Sequence, residues 1–301
     1  DIISILTKLI NSGKLPHLLF YGPPGTGKTS TMIAAAKTLY GSRYQSMTLE
    51  LNASDDRGIG VVRNEIKSFA GTKQLFNSGV KLVILDEADS MTNDAQFALR
   101  RIIEKNTKST RFCFICNYVN KIIPALQSRC TRFRFAPLQP AQVMGRLEDI
   151  VKAEGLDVTD GGKDALLSLS NGDMRRVLNV LQAASMSFQK IDSRAVYLCT
   201  GNPLPEDVQS ILDWLLNDDF NEVLTRIRDL CTTKGYALSD ILKDLTDLLV
   251  GMELPPEAAA IIYDDMSTIE WRLATGASEK IQLAALVGVF MIARESMTPP
   301  Q

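Results

Sequence analysis

The chain has 301 residues, of which 45% are hydrophobic and 23% are charged, and its formal net charge is −2. Its length suffices for two or three compact globular domains. No apolar run approaches the length of a bilayer and the first residues show no signal-peptide pattern, so no membrane partner is expected. The near-neutral charge does not favour a general nucleic-acid binder, although a local basic patch is enough to hold a phosphate backbone.

Short apolar runs alternate with amphipathic stretches up to about residue 138, which is the pattern of βα units. This alternation predicts an α/β fold in which helices cover both faces of a parallel sheet. The expected strands are 18–21, 47–51, 81–86, 112–117 and 131–135, and helices between them include 60–69 and 94–105. The first six residues have the pattern of an amphipathic helix interior, so we expect the natural chain to begin upstream of Asp1.

The strand signal fades after Pro137 and Pro140. Short helices are expected at 141–154, 163–170 and 174–185, with breaks at Gly155, Gly161-Gly162 and Gly172. After a hinge at 201–205, further helices are expected at 207–216, 220–232, 238–250, 255–276 and 279–295. We therefore predict three parts: an α/β nucleotide-binding domain at 1–138, a small helical domain at 139–203 and a helical bundle at 204–301.

A glycine-rich loop between the first strand and an Ala-rich helix matches the pattern G-x-x-x-x-G-K-[ST]. Backbone N–H groups of such a loop curl around phosphate oxygens, and the dipole of the following helix adds positive potential. Lys28 is expected to reach the β- and γ-phosphates, and the Thr29 hydroxyl is expected to bind Mg²⁺. The predicted nucleotide-binding residues of this segment are Gly22, Pro23, Pro24, Gly25, Thr26, Gly27, Lys28, Thr29 and Ser30.

An apolar strand that ends in Asp86 and Glu87 supplies the other half of the nucleotide chemistry. Asp86 is expected to hold Mg²⁺ through a water, and Glu87 to polarise the water that attacks the γ-phosphate. Asn117 ends a neighbouring strand, where it either orients that water, senses the γ-phosphate or only forms a turn. Arg175 follows a helix cap at Asp173, and either it swings onto the nucleotide or it belongs to a solvated arginine pair.

The five cysteines do not predict a metal or redox site. Cys113 and Cys116 lie three residues apart on an expected strand, so their sulfurs point to opposite faces and cannot chelate one ion. We interpret them as buried core thiols and expect reduced cysteines throughout. A single histidine, His17, rules out multi-histidine metal sites and is expected to be partly buried beside the first strand.

Five segments resemble the clamp-loader small subunits of replication factor C, a family of AAA+ ATPases. They read LELNASDDRG at 49–58, DEAD at 86–89, ALRR at 98–101, SRC at 128–130 and GDMRR at 172–176. The run 122–135 narrows the resemblance to one small subunit of that family, and the likeness spans nearly the whole chain. It implies a P-loop AAA+ domain followed by a small helical lid and an all-α collar that joins subunits.

The resemblance also implies roles for individual residues. Arg129 would be an arginine finger given in trans to the ATP of the neighbouring subunit, while Asn117 takes the sensor-1 position and Arg175 the sensor-2 position. A separate set would hold the DNA phosphate backbone, and for its two arginines a solvated surface charge is the alternative. This DNA-binding set comprises Arg57, Arg63 and Lys121.

The implied setting is a nuclear heteropentameric clamp loader. With ATP and Mg²⁺ as its nucleotide and metal, it would open a ring-shaped sliding clamp and load it onto primer–template DNA in replication and repair. In the family an N-terminal segment closes over the adenine, and that segment would precede Asp1. The residues that read the base are therefore left unassigned.

Two other functions stay open on the sequence alone. A binding module would hold nucleotide for assembly only, although Lys28, Asp86 and Glu87 argue against it because a purely structural site needs no hydrolytic glutamate. A AAA+ protein remodeller would thread its substrate past an aromatic–glycine pore loop, and the corresponding part of this sequence has no obvious one.

Overall fold

The computed structural model describes residues 2–12, 15–54, 59–71 and 79–297. The chain forms two units, one made of Asp1–Glu154 with Leu167–Asn179 and the other of Gly155–Leu166 with Val180–Gln301. Residues 139–203 contribute to both units. The division into parts at residues 138 and 203 therefore stays a prediction.

Five parallel strands form the sheet of the first unit, in the spatial order β2-β3-β4-β1-β5. They are β1 (Leu18–Tyr21), β2 (Thr48–Asn52), β3 (Lys81–Asp86), β4 (Thr110–Cys116) and β5 (Thr131–Arg134). All five expected strands are confirmed, with ends that differ by no more than two residues. Because the strands are parallel, their carboxyl ends share one edge of the sheet, and those of β3, β4 and β1 lie side by side.

Alternate side chains of the central strands pack into two separate cores, one on each face of the sheet. On one face, Leu18 and Phe20 of β1 belong to a cluster that includes Met32. On the other face, Leu19 belongs to a cluster that includes Ile102. Both faces of the sheet are therefore covered, as predicted.

Helices precede, connect and follow the strands of the first unit. They are α1 (Ile2–Asn11), α2 (Lys28–Tyr40), α3 (Tyr44–Met47), α4 (Ile59–Gly71), α5 (Asn93–Asn106), α6 (Pro124–Gln127) and α7 (Pro140–Glu154). Short 3₁₀ turns lie at Gly41–Arg43, Ala88–Ser90 and Val119–Lys121. The helix that carries the end of the phosphate loop, α2, begins at Lys28.

The rest of the chain is mainly helical. It contains α8 (Asp160–Ser170), α9 (Met174–Ser187), α10 (Ser193–Thr200), α11 (Pro205–Asn217), α12 (Phe220–Lys234), α13 (Leu238–Val250), α14 (Pro256–Ala274) and α15 (Glu279–Met297). Leu212, Leu245 and Phe290 are examples of the fully buried residues that form the core of the second unit. Within the described ranges no helix combines the length and apolarity that crossing a bilayer requires.

Expectations for the segment 155–200 need correction. Gly161-Gly162 does not break a helix but lies in the first turn of α8, where Gly162 N–H donates to the Thr159 hydroxyl at 3.1 Å. A Cβ on Gly162 would lie 2.5 Å from the carbonyl oxygen of Ile191, so glycine is needed for this close approach. The segment also forms two strands that the sequence pattern does not predict, β6 (Asp157–Val158) and β7 (Lys190–Ile191), because two residues are too short to show alternation.

Candidate functional site

The loop between β1 and α2 has the backbone geometry of a phosphate cradle. Gly22, Gly25 and Gly27 have φ values of 143°, 68° and 85°, a region that L side chains rarely adopt. Thr26 Oγ1 donates to the carbonyl oxygen of Pro23 at 3.0 Å and braces the turn. Because the first N–H groups of a helix lack intrahelical partners, the loop and the start of α2 together offer donors to an anion.

Lys28 lies at the centre of this cradle. Its Nζ donates to the carbonyl oxygens of Gly22 at 2.8 Å and Pro23 at 2.7 Å, and to Asn117 Oδ1 at 3.0 Å. The residue is 7% exposed. Burial lowers the pKa of the ammonium from its ordinary value, while the nearby Asp86 carboxylate opposes that shift. The edge of the sheet therefore holds a largely desolvated ammonium, which donates one hydrogen bond to each of three acceptors.

Both carboxylate oxygens of Asp86 are held in place. Oδ2 accepts a hydrogen bond from the Thr29 hydroxyl at 2.6 Å, and Oδ1 accepts one from the backbone N–H of Glu87 at 2.8 Å. A hydroxyl and a carboxylate in contact are oxygen ligands of the kind that Mg²⁺ prefers. Among the described residues there is no group of three or more His, Cys, Asp or Glu that could hold a metal ion.

Glu87 has a left-handed backbone, with φ 52° and ψ 37°, which is uncommon for any residue other than glycine. Its carbonyl oxygen accepts from the backbone N–H of Ser90 at 2.9 Å and from the Ser90 hydroxyl at 2.7 Å. The 3₁₀ turn that follows is thereby tied to this conformation. The exposed Glu87 side chain lines the same cleft as Lys28.

Asn117 follows β4 and does more than form a turn. Besides the contact between its Oδ1 and Lys28, its backbone N–H donates to Asp89 Oδ2 at 3.2 Å. The adjacent Tyr118 N–H donates to the same oxygen at 3.1 Å. Sequence reasoning assigned no role to Asp89, although the acidic run at 86–89 was the signal that pointed to it.

The start of α9 packs directly on the phosphate loop. As expected, Asp173 caps this helix, since its Oδ1 accepts from the backbone N–H groups of Arg175 at 2.8 Å and Arg176 at 3.3 Å. Met174 N–H donates to the carbonyl oxygen of Gly25 at 3.3 Å. A Cβ on Gly25 would lie 1.6 Å from Asp173 Oδ1, so this glycine allows the loop and the helix cap to touch. Arg175 consequently lies in the wall of the cleft.

These elements enclose one cleft with a volume of about 380 Å³, which is in the range of small-molecule sites. Two cationic side chains, the Thr29 hydroxyl, two carboxylates and several apolar side chains line it, a combination that suits a phosphate chain with a bound cation. The lining residues are Pro24, Gly25, Thr26, Gly27, Lys28, Thr29, Ser30, Asp86, Glu87, Asn117, Leu138, Met174, Arg175 and Leu178.

Arg129 is not among the described residues that line this cleft. Its Nη2 forms a salt bridge of 2.6 Å with Glu104 Oε1, and its Nη1 donates to the carbonyl oxygen of Ala125 at 2.6 Å. Arg100 Nε contacts the same Glu104 oxygen at 3.0 Å. Hydrogen bonds and charge from Arg100, and then from Arg129, hold the pKa of Glu104 below its ordinary value. The Arg129 side chain is 32% exposed.

The expected DNA contacts lie only partly within the described residues. Arg57 lies outside them, and of Arg63, in α4, only the backbone is described. Lys121 is exposed, with its Nζ 5.2 Å from the centroid of the Tyr118 ring. The turn that it ends is held by buried Gln96, whose Nε2 donates to the carbonyl oxygen of Lys121 at 2.9 Å. Sequence reasoning missed Gln96 because a buried glutamine interrupts the apolar pattern that indicates a core.

Two of the cysteines and the histidine are buried in the first unit. Cys113 and Cys116 are buried in cores on opposite faces of the sheet, so the prediction that they cannot share an ion is confirmed. All five cysteines are free. His17 is more buried than expected, and its Nδ1 accepts from the backbone N–H of Phe112 at 3.1 Å. Burial, with a smaller contribution from Arg111, lowers the pKa of His17 to about 4.

Two family models match the chain. The model of the ATPase family associated with various cellular activities (AAA) matches residues 18–138, which contain the phosphate loop and the acidic strand end. The model of the replication factor C C-terminal domain matches residues 203–289.

Similar proteins cover nearly the full chain. Replication factor C subunit 5 of Homo sapiens is 54% identical over 296 residues, which are 98% of this chain and 87% of that protein. Replication factor C subunit 3 of Schizosaccharomyces pombe is 51% identical over 287 residues, or 95% of this chain and 84% of that protein. These names agree with the small subunit called five in human and three in yeast, which is the one that the run 122–135 indicates.

A solved structure has a similar fold. The RuvB Holliday junction branch migration motor of Thermotoga maritima has a TM-score of 0.51 and 15% identity, over 85% of this chain and 88% of that one. At this identity the likeness concerns the fold alone.

Proposed function

The chain belongs to the replication factor C family, and from that membership we propose that it is an ATPase subunit of a clamp loader. The assembly opens a ring-shaped sliding clamp and loads it onto primer–template DNA in replication and repair. The observation that carries this proposal is the convergence of Lys28, Asp86, Glu87 and Asn117 on one cleft, in a chain 54% identical to a replication factor C subunit.

The phosphate chain of ATP binds in the loop 22–29. Lys28 exchanges one or more of its present acceptors for β- and γ-phosphate oxygens. Because the dielectric constant around this buried ammonium is low, its electrostatic attraction to phosphate is stronger than it would be in water. Arg175 lies in the cleft wall, from which it contacts the phosphates and reports their state to α9.

Thr29 and Asp86 together hold Mg²⁺, because they bring a hydroxyl and a carboxylate into contact beside the loop. The ion, when bound, neutralises charge on the phosphate oxygens. Asp86 is pre-oriented for this role by the Glu87 N–H, which fixes its second oxygen.

Glu87 polarises the attacking water and Asn117 orients it. Both side chains line the cleft, at the ends of adjacent strands, which supports a shared role toward one water. A site that only stored nucleotide would have no use for a carboxylate held there by a strained backbone.

Arg129 acts in trans, as an arginine finger for the ATP of a neighbouring subunit. Its separation from the chain's own cleft and its partial exposure support this assignment. Contacts to Glu104, Ala125 and the Ser128 hydroxyl occupy three of the five N–H donors of the guanidinium. The other two donors have no hydrogen-bond partner within the part of the chain that the structure describes, which supports a contact with phosphate oxygens.

DNA is held through its phosphate backbone by Arg57, Arg63 and Lys121, without sequence preference. Replacing all three residues by alanine should make the negative slope of log K against log salt shallower, by roughly 0.9 for each duplex phosphate that the protein no longer neutralises. Replacement of two exposed α7 residues, Arg146 and Lys152, is the matched control. An unchanged slope in the triple variant would contradict this DNA contact.

We assign the chain to the nucleus, where a replication clamp loader works. The nucleotide-binding domain at 1–138 is followed by a lid at 139–203 and a collar at 204–301 that joins the subunits. The match of the replication factor C C-terminal domain to residues 203–289 supports the last boundary.

The experiment that tests the proposed function places Glu87→Gln in this chain alone within the assembled complex. We expect lower ATP turnover in the presence of clamp and primed DNA, and slower clamp loading, while nucleotide binding persists. Glu154→Gln, at the exposed end of α7, is the control. Unchanged turnover and loading would favour a storage site, and stimulation by unfolded protein instead of DNA and clamp would favour a remodeller.

A further inference from the structure

Asp89 connects the turn that follows Glu87 to the backbone at Asn117, at the end of β4. Its Oδ2 accepts hydrogen bonds from the backbone N–H groups of Asn117 at 3.2 Å and Tyr118 at 3.1 Å. The strand ladder ends just before these amides, with Leu85 opposite Phe114 and Tyr21 opposite Cys116. The carboxylate of Asp89 thus accepts hydrogen bonds from the first two backbone amides after β4, where the strand pairing has ended.

Asp89 is itself fixed relative to Glu87. It lies in the 3₁₀ turn Ala88–Ser90, whose preceding residue, Glu87, accepts two hydrogen bonds from Ser90. Ala88, between them, is fully buried in the core on one face of the sheet. A displacement of Asp89 would therefore have to disturb the turn, the core contact or both.

We propose that Asp89 is a positioning residue for ATP hydrolysis, which holds the Asn117 backbone at a fixed separation from Glu87. The inference rests on the proposed roles of Glu87 and Asn117 toward the attacking water. Both of those side chains line the cleft, whereas Asp89 is not among its described lining residues, so Asp89 acts through the backbone and not on the substrate. The same bonds also fix the residue whose side-chain amide Lys28 contacts.

The effect of Asp89 could come from its hydrogen bonds or from its charge, and two substitutions distinguish these explanations. The Asp89 carboxylate also raises the pKa of Lys28 slightly against the larger effect of burial, so its charge alone is a competing explanation. Asp89→Asn removes the charge and keeps an oxygen that accepts both N–H bonds. Asp89→Ala removes the charge and the acceptor together.

The test uses the assembled complex with the change in this chain only. The difference in turnover between the unchanged complex and the Glu87→Gln complex defines the share that depends on this site. We expect Asp89→Ala to remove most of that share, on the order of tenfold or more, because small misplacements of catalytic groups cost large factors in rate. The KM for ATP should stay within about twofold, since the phosphate loop is untouched.

Asp89→Asn should recover at least roughly half of the lost turnover, because it restores the acceptor for both backbone amides. Asp94→Ala, an exposed carboxylate at the start of α5, should leave turnover unchanged. Size-exclusion chromatography of each complex confirms assembly before the rates are compared.

The inference is overturned if Asp89→Ala keeps the Glu87-dependent share, if it mainly raises the KM, or if Asp89→Asn is as slow as Asp89→Ala. The last result would assign the effect to charge. If Glu87→Gln itself leaves turnover unchanged, the proposed hydrolytic function fails. The Glu87→Gln complex is therefore measured before any Asp89 variant.

Discussion

Lys28 and Asn117 are 89 residues apart in the sequence, and Nζ of the first donates to Oδ1 of the second at 3.0 Å. The contact joins the start of α2 to the end of β4. It brings the residue expected to bind phosphate into contact with the residue expected to sense it. The two side chains nevertheless have different roles, and substitutions should affect ATP affinity and turnover differently.

Lys28→Met should weaken ATP binding at this site strongly, because it removes the cation from a cleft that burial has already desolvated. Asn117→Ala should leave ATP affinity within about threefold and lower turnover instead, since Lys28 keeps its two backbone acceptors while the amide that orients the attacking water is lost. Titration with a fluorescent ATP analogue and steady-state ATPase assays of the assembled complex distinguish these effects. Equal losses of affinity in both variants would contradict the division of roles.

Asp86→Asn should make nucleotide binding insensitive to Mg²⁺. The amide can keep hydrogen bonds to Thr29 and to the Glu87 N–H, but it loses the negative charge that attracts the ion. We expect ATP affinity in EDTA to be unchanged, while the gain on adding Mg²⁺ disappears and turnover falls. A variant that still gains affinity with Mg²⁺ would show that Asp86 does not hold the metal.

Arg129→Ala should leave ATP binding by this chain intact and slow hydrolysis at the neighbouring subunit's site. An arginine finger contributes on the order of 10³–10⁵ to the rate in well-studied systems. Loss of the Glu104 salt bridge, between two partly exposed side chains, should change the folding free energy little.

The readout is single-turnover hydrolysis in complexes in which only the neighbouring site is competent. Arg146→Ala, which replaces an exposed arginine of α7, provides the matched control. Full-speed ATP hydrolysis by the isolated chain would refute the assignment of Arg129 in trans.

His17 should make the stability of the chain depend on pH. Its pKa is about 4 in the folded chain against an ordinary value of 6.5 for an exposed histidine, so the unfolded chain binds more protons between those values. Stability therefore falls as the pH is lowered through this window. From pH 7.5 to pH 5 the histidine should account for about 2 kcal/mol.

His17→Asn keeps an acceptor for the Phe112 N–H and removes the titrating ring. The difference between the two proteins in urea unfolding at several pH values isolates this contribution from that of the carboxylates. Parallel pH profiles would show that His17 is not buried in its neutral form.

Much of the fold and the candidate site could be predicted from the sequence, because strand patterns and the phosphate-loop motif are local. β3 and the loop 22–29 illustrate this, since each depends on a contiguous run. The contacts of Asp89, Gln96 and Gly25 could not be predicted in the same way. Each joins segments that are distant in the chain and leaves no periodic signal.

The most direct measurement is a structure of the assembled complex with a non-hydrolysable ATP analogue and Mg²⁺. The account predicts a triphosphate in the loop 22–29 of this chain, with Lys28 on its β- and γ-phosphates and Mg²⁺ at Thr29 and Asp86. It also predicts Arg129 at the γ-phosphate of the neighbouring subunit. A triphosphate bound elsewhere in the chain, or an Arg129 that stays on Glu104 away from any nucleotide, would contradict the composite ATPase site.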